Sequence, residues 1–125
     1  MKEALFRFEN MEIWQRAADL SSPLFKLAEK LDERRYYRFA EQLRAVTLSI
    51  TNNIAEGSGS VSDVDFANFL NTARRSVFEV ANMLLIFTRE KYLLATESEP
   101  LLSELAEQSR MILAFRRSLK GESRS

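Results

Sequence analysis

Glycine and proline, the residues that most often interrupt regular structure, are scarce in this sequence, with three glycines and two prolines in 125 residues. In the long intervals between them, apolar residues recur at steps of three and four, which is the spacing of one face of an α-helix. This pattern predicts an all-α protein with four helices. Four helices with short connections pack most simply as an antiparallel up-down four-helix bundle around one core.

The first two predicted helices are bounded by capping residues and glycine. The first begins near Asn10, a suitable N-cap, and should be kinked or split at Pro23, because proline has no amide hydrogen to donate. The second begins at Asp32 and Glu33. Gly57-Ser58-Gly59 is expected to end the second helix, with Gly57 as the terminator, since glycine allows the chain to reverse.

The last two predicted helices have clearer starting signals. Ser62 and Asp65 form a pattern typical of a capping box, so the third helix should begin there and run to about Lys91. The fourth helix should begin at Glu99 and Pro100, because proline is tolerated in a first turn. Its apolar residues continue to the end of the bundle.

A single domain is expected to account for the sequence. We expect an N-terminal extension over residues 1–9, the bundle over residues 10–120 and a frayed tail over residues 121–125. No targeting segment or membrane-spanning apolar run is apparent, which favours a cytoplasmic protein with no membrane partner.

Histidine and cysteine are both absent. Their absence removes the commonest acid-base side chain, the thiolate nucleophile and the usual zinc ligands. The alternative of a carboxylate-metal site remains, in which Glu41, Glu56 and Glu79 converge inside the bundle on Mg²⁺ or Mn²⁺. The main expectation is a protein that is not an enzyme and uses no cofactor and no metal.

The third predicted helix is apolar around most of its circumference over residues 77–87, where only Glu79 and Asn82 interrupt. A lone bundle covers one face of each helix, so the other face needs a second molecule. We therefore expect a homo-oligomer. The candidate interface residues are Phe78, Met83, Leu85 and Ile86.

Polar residues occupy the core-facing stripe near the end of the second predicted helix. Asn53 lies on that stripe and Glu56 lies one turn beyond, and each would need a hydrogen-bond partner inside the bundle. The candidate partners are Ser76, Glu79, Arg44 and Arg74. This polar core network of Asn53, Glu56, Ser76 and Glu79 either fixes the register of the helices or lines a ligand pocket.

Eighteen basic and eighteen acidic residues give zero net charge, so a site for a polyanion must be a local patch. Arginines that pair with phosphate, interleaved with tyrosines that stack on bases, are typical of single-stranded nucleic-acid recognition. The candidate residues are Arg34, Arg35, Tyr37, Arg38, Arg44, Arg74 and Arg75. In the alternative interpretation, Tyr36 and Phe39 pack inward and the arginines only form a solvated surface.

Three segments carry a resemblance to one bacterial family. They are Trp14-Gln15; Gln42-Leu43-Arg44 with Ser49-Ile50-x-x-Asn53-Ile54-Ala55-Glu56-Gly57; and Phe66-x-x-Phe69-Leu70-x-x-Ala73-x-x-Ser76-x-x-Glu79. Over roughly residues 8–119 the chain resembles the four-helix-bundle proteins encoded in intervening sequences of 23S ribosomal RNA genes, a family that also includes accessory variability determinants of diversity-generating retroelements. The resemblance implies a ring-like homopentamer. In the retroelement branch, such a ring is basic, binds nucleic acid and partners a reverse transcriptase.

Ala45 and residues 58–61 stand where relatives often carry basic residues, which places this chain nearer the intervening-sequence branch. The expected function is that of a non-enzymatic, homopentameric accessory protein associated with nucleic acid. RNA or single-stranded DNA is the candidate ligand, and a reverse transcriptase or another nucleic-acid enzyme is the candidate partner. The alternative is a scaffold for protein–protein interaction that does not bind nucleic acid.

Overall fold

The computed structural model describes residues 3–121, in which the chain forms one short 3-10 turn followed by four α-helices. The 3-10 turn spans Arg7–Asn10, α1 spans Glu12–Glu33, α2 Tyr37–Ser58, α3 Asp63–Arg89 and α4 Ala95–Leu119. No strand occurs within the described range. The prediction of an all-α protein with four helices is confirmed.

Each helix packs against the next in chain order, and α4 also packs against α1. The residues at three- and four-residue spacing line the shared core, as helical periodicity requires. The largest fully buried side chains include Leu24, Leu31, Leu43, Ile54, Phe66, Leu70, Leu84, Leu105 and Ile112. Among the described helices, none combines the length and the apolarity that crossing a bilayer takes.

The start of α1 differs from the prediction. Met11 is the N-cap residue, and Asn10 instead closes the preceding 3-10 turn. The split predicted at Pro23 as one of two outcomes does not occur, because α1 continues through it as one helix. Leu20 and Leu24 are buried on either side of Pro23, so core packing holds the helix together despite the missing hydrogen bond.

The 3-10 turn is fastened to the bundle by aromatic contacts. The Phe8 and Trp14 ring centroids are 5.0 Å apart, and the Arg7 guanidinium lies 5.1 Å from the centre of the Phe66 ring. Gln15 Nε2 donates to the Glu9 carbonyl at 2.9 Å.

At the other end of the chain, Gly121 is the one residue of the predicted 121–125 tail within the described range.

The boundary between α1 and α2 also lies later than predicted. Asp32 and Glu33 belong to the last turn of α1, and α2 begins at Tyr37. The Asp32 carboxylate accepts a hydrogen bond from Arg44 of α2 instead of capping a new helix. Arg35 then takes a left-handed backbone conformation, with φ of 68°, which ends α1.

Of the predicted starts of α3 and α4, the first is confirmed and the second is wrong. The predicted capping residue Ser62 is confirmed, since its Oγ accepts the Asp65 amide hydrogen at 3.2 Å. The predicted start of the fourth helix at Glu99 and Pro100 is wrong, because α4 begins at Ala95. The Glu97 carboxylate accepts the Leu94 amide hydrogen at 2.8 Å, and this bond caps α4 earlier in the chain.

The α2 helix ends within the predicted segment Gly57-Ser58-Gly59, but the residue that ends it is not Gly57. It lies inside the helix and is buried, and Gly59 is the C-cap residue. A Cβ at position 57 would lie 2.7 Å from Phe69 Cβ and 2.8 Å from Phe66 Cδ1. Glycine is needed at this position because α3 crosses α2 there at very short range.

Polar side chains also join neighbouring helices inside the core. Gln108 of α4 is buried, and its Nε2 donates to the Ile13 carbonyl of α1 at 2.9 Å. The hydroxyls of Thr88 in α3 and Ser98 in α4 lie 2.7 Å apart. Such bonds favour one alignment of the helices, since any slip would leave a buried polar atom unpaired.

Candidate nucleic-acid interface and assembly face

The α1–α2 turn and the α3–α4 turn meet at one end of the bundle. The rings of Tyr36 and Tyr92 stack with centroids 4.1 Å apart, and Phe39 packs on Tyr92 at 5.4 Å. Phe39 also packs on Phe87 at 5.1 Å. Tyr36 and Phe39 therefore pack inward, as the alternative interpretation of this segment predicted, and they join the two turns.

Arg34 is held in a structural ion pair at this end. Its Nη1 and Nη2 donate to the two carboxylate oxygens of Glu97 at 3.1 and 2.9 Å, and Nη1 also donates to the Tyr92 carbonyl at 2.7 Å. Lys30 Nζ lies 3.4 Å from Glu97 Oε2. The hydrogen bonds from Arg34 lower the pKa of Glu97 to about 2, and the same contact raises the pKa of Arg34.

Two more of the predicted cations are engaged within the chain. Arg44 pairs with Asp32 across the α1–α2 contact. Arg74 donates from Nε to the Ser109 carbonyl at 3.3 Å, and its guanidinium lies 4.9 Å from the centre of the Phe78 ring. A phosphate would have to compete with these contacts.

The remaining predicted cations are free of such contacts. Arg35, Arg38 and Arg75 are exposed, and their side chains form no hydrogen bond or ion pair with any residue in the described range. Tyr37, between the first two, is 60% exposed. The chain thus brings Arg35, Tyr37 and Arg38 together beside the α1–α2 turn, whereas Arg75 lies along α3, next to Ser76.

Two cations at the same end were missed by the sequence analysis. Arg89 and Lys91 belong to the end of α3 and the α3–α4 turn; both are exposed, and neither side chain has a partner among residues 3–121. The available signal was that Lys91 precedes Tyr92 just as Arg35 precedes Tyr36, at the end of a helix in both cases.

The polar core network differs from the predicted one. Ser76 is buried and its hydroxyl lies 2.8 Å from that of Ser49, a residue missing from the prediction. Asn53 donates from Nδ2 to the Ser49 carbonyl at 2.8 Å. Glu56 and Glu79 are exposed and stand outside the network in this chain. Small hydroxyls suit this position because α2 and α3 lie close together.

The three glutamates of the alternative metal site do not converge. Glu41, Glu56 and Glu79 are each exposed. Within the part of the chain that is described, no three potential metal ligands come together. The three-carboxylate cluster of the alternative is therefore not formed by the described residues.

An apolar surface remains uncovered on α3. Phe78 and Leu85 are each 56% exposed and Ile86 is 45% exposed, while Met83 is half-buried. On α2, Leu48 is 49% exposed. The four α3 residues are the ones predicted as an oligomer interface, and we call them the assembly face.

Grooves run along both sides of the assembly face. The groove between α2 and α3 is lined by Phe39, Gln42, Ala45, Val46, Glu79, Asn82, Met83, Ile86 and Phe87. The groove between α3 and α4 is lined by Val77, Phe78, Ala81, Leu102, Leu105, Ala106 and Ser109. Apolar side chains of another molecule could enter either groove and bury α3 further.

The family model of the 23S rRNA-intervening sequence protein matches residues 9–114. Comparison with curated proteins gave no match. Among solved structures, the chain is similar to a protein of unknown function from the S23 ribosomal protein family of Bacteroides thetaiotaomicron, with a TM-score of 0.80 and 21% identity over 84% of this chain and 98% of that chain. At that identity, the likeness concerns the fold alone.

Proposed function

Because this chain belongs to the 23S rRNA-intervening sequence protein family, we propose that it is a non-enzymatic accessory protein that assembles with itself and associates with nucleic acid. Five copies form a ring, as the resemblance of its helical segments implies. The observation that carries the proposal is the uncovered assembly face on α3.

Within each copy, the helices form an antiparallel up-down bundle. Two contacts between α2 and α3 support this direction: Gly57 faces Phe69, and Ser49, earlier in α2, faces Ser76, later in α3. Contact positions that move in opposite senses along two helices are those of an antiparallel pair.

Self-assembly follows from the cost of leaving the assembly face in water. Full burial of a large apolar side chain contributes about 1.5 to 3 kcal/mol, and Phe78, Leu85 and Ile86 are each about half exposed. Leu48, an exposed apolar residue of α2, lies on a different helix from this face. Contact between two different surfaces is heterologous, and a heterologous contact that closes on itself gives a ring.

Association with nucleic acid is supported by the free cations beside the α1–α2 turn. Arg35 and Arg38 can pair with phosphates, and the exposed ring of Tyr37 offers a stacking surface. One such patch is small, but a ring repeats it once in every copy. Several linked patches bind one strand more tightly than one patch does.

Assembly is tested by analytical ultracentrifugation of the wild type, Leu85→Glu and the matched control Val64→Glu. Val64 is also exposed on α3 but lies outside the assembly face. We expect a multimer of the 14.5 kDa chain for the wild type and the control, and dissociation for Leu85→Glu. A wild type that sediments only as single chains at micromolar concentration would contradict self-assembly.

Nucleic-acid association is tested by titrating a labelled single-stranded RNA at several salt concentrations. Binding through phosphates should weaken steeply as salt rises, because counterions are released. If the wild type binds neither this RNA nor single-stranded DNA at low salt, the nucleic-acid part of the proposal is refuted.

A scaffold that binds only proteins is the second candidate. It is favoured by the intrachain contacts of Arg34, Arg44 and Arg74. These contacts leave fewer free cations than the sequence analysis predicted. The same two experiments separate the candidates. A scaffold would assemble but would show no binding to either nucleic acid at low salt.

A further inference from the structure

Both short turns at the same end of the bundle use a left-handed backbone residue. Arg35 has φ of 68° and Lys91 has φ of 66°, and within residues 3–121 no other non-glycine residue has positive φ. In each turn the following tyrosine amide donates to a carbonyl five residues earlier, at 2.8 Å in both cases. The two turns therefore have the same helix-ending geometry.

Glycine is the usual residue at such a position, because a Cβ is strained in the left-handed region. Arg35 and Lys91 carry long side chains there, and both side chains are exposed and unbonded within the described chain. Neither packing nor an internal ion pair accounts for a cation at either turn. The left-handed conformation allows the hydrogen bonds that end each helix, and the helix dipole favours a cation there. Neither effect engages the exposed side-chain tips, which stay available to an anion.

The two turns lie side by side. The stacked rings of Tyr36 and Tyr92 join them, and Arg34 bonds to the Tyr92 carbonyl from the α1–α2 side. Arg35 and Lys91 directly precede these two tyrosines. They consequently flank one rigid aromatic pair.

Two further free cations stand near this pair, so that four positive charges occupy the region. We call Arg35, Arg38, Arg89 and Lys91 the turn face. Their side chains make no ion pair in the described structure, and two exposed carboxylates on the same turns, Glu33 and Glu90, offset only part of their charge.

We propose that the turn face binds the phosphate backbone of single-stranded nucleic acid and that Arg35 and Lys91 are its central contacts. This inference rests on the proposed association with nucleic acid and assigns its location. Tyr37, exposed between Arg35 and Arg38, stacks on an unpaired base, which favours a single strand over a duplex. Arg34 is not part of the site, since Glu97 and the Tyr92 carbonyl hold its Nη1 and Nη2 groups.

The test compares three double variants for binding to a labelled single-stranded RNA of mixed sequence. Arg35→Gln with Lys91→Gln removes both charges and keeps a Cβ at each turn. Arg35→Gly with Lys91→Gly removes the charges and relieves the left-handed strain. The control, Lys26→Gln with Lys120→Gln, removes two exposed cations from other parts of the chain.

We expect both turn-face variants to bind the RNA at least about tenfold more weakly, with a salt slope smaller by about 1.4 for each copy that contacts the strand, because about 0.7 is lost for each phosphate contact on a single strand. The control should bind like the wild type. The glycine variant should melt at or above the wild-type temperature at equal protein concentration, so that its weaker binding cannot be ascribed to unfolding.

A wild type that binds RNA while both turn-face variants bind equally well would overturn this inference and leave the proposed function standing. Equal loss of binding in the control would also overturn it, because bulk charge would then explain the effect. A wild type that binds neither single-stranded RNA nor DNA at low salt would instead refute the proposed association itself.

Discussion

Neutralising Glu97 is the sharpest test of how the two turns are held together. Its carboxylate accepts two hydrogen bonds from Arg34, lies 3.4 Å from Lys30 Nζ and accepts the Leu94 amide hydrogen. The Glu97 side chain is only 13% exposed, whereas Arg34 is 34% exposed, so water screens these contacts in part. The Glu97→Gln variant keeps the shape of the side chain and removes its charge.

The expected loss of stability in Glu97→Gln follows from the pKa of Glu97. This pKa falls from 4.5 to about 2 on folding, chiefly through the hydrogen bonds from Arg34. At about 1.4 kcal/mol for each pH unit, this difference corresponds to about 3 kcal/mol. Arg34 is 34% exposed, and solvent screening reduces the contribution to about 2 kcal/mol.

The lowered pKa of Glu97 determines how its contribution to stability changes with pH. A carboxyl group whose pKa is lower in the folded chain stabilises the fold above its unfolded pKa and loses that contribution as pH falls through its folded pKa. For Glu97, the loss occurs between pH 4.5 and about 2. The variant should be about 2 kcal/mol less stable than the wild type near neutral pH, and the difference should shrink towards pH 2.

Urea unfolding followed by circular dichroism, at one protein concentration, measures both effects. The control is Glu99→Gln, which removes an exposed carboxylate two residues away and should change stability little at either pH. Equal stability of the wild type and Glu97→Gln near neutral pH would refute the reasoning. So would a deficit that stays the same when the solution is acidified.

Two further predictions concern the ends of α2 and α3. Gly57→Ala should destabilise the fold by about 1 to 3 kcal/mol, because the new Cβ would lie 2.7 Å from Phe69 Cβ, whereas Gly59→Ala has room and should change little. Thermal unfolding of the two alanine variants checks this, and equal melting temperatures would contradict it. Ser62→Ala should cost about 1 kcal/mol in urea unfolding, because the Asp65 amide loses its acceptor; an unchanged midpoint would rule out a stabilising cap.

The number of helices and their core-facing residues could be predicted because helical periodicity is a local property of the sequence. The cap at Ser62 could be predicted for the same reason, since its partner lies three residues away. Gly57 was misinterpreted because the reason for glycine there comes from Phe66 and Phe69 of the next helix. A split at Pro23 does not occur because burial of the flanking leucines outweighs one missing hydrogen bond.

In the candidate site, too, the features that depend on contacts between distant residues could not be predicted from the local sequence. Arg34 and Arg35 are neighbouring, chemically identical residues, and the sequence gives no reason to treat them differently. Glu97, which lies 63 residues from Arg34 in the chain, accepts hydrogen bonds from Arg34 but not from Arg35. The choice depends on how the two turns meet, and no local pattern encodes that contact.

The packing of Trp14 on Phe8 makes the protein a natural optical probe of its own first turn. Trp14 is the chain's single tryptophan, and its indole senses the aromatic contact that fastens Arg7–Asn10 to α1. Its fluorescence therefore reports departure of that turn, while circular dichroism reports melting of the helices. Two transitions that separate on heating would show the N-terminal turn detaching from an otherwise intact bundle.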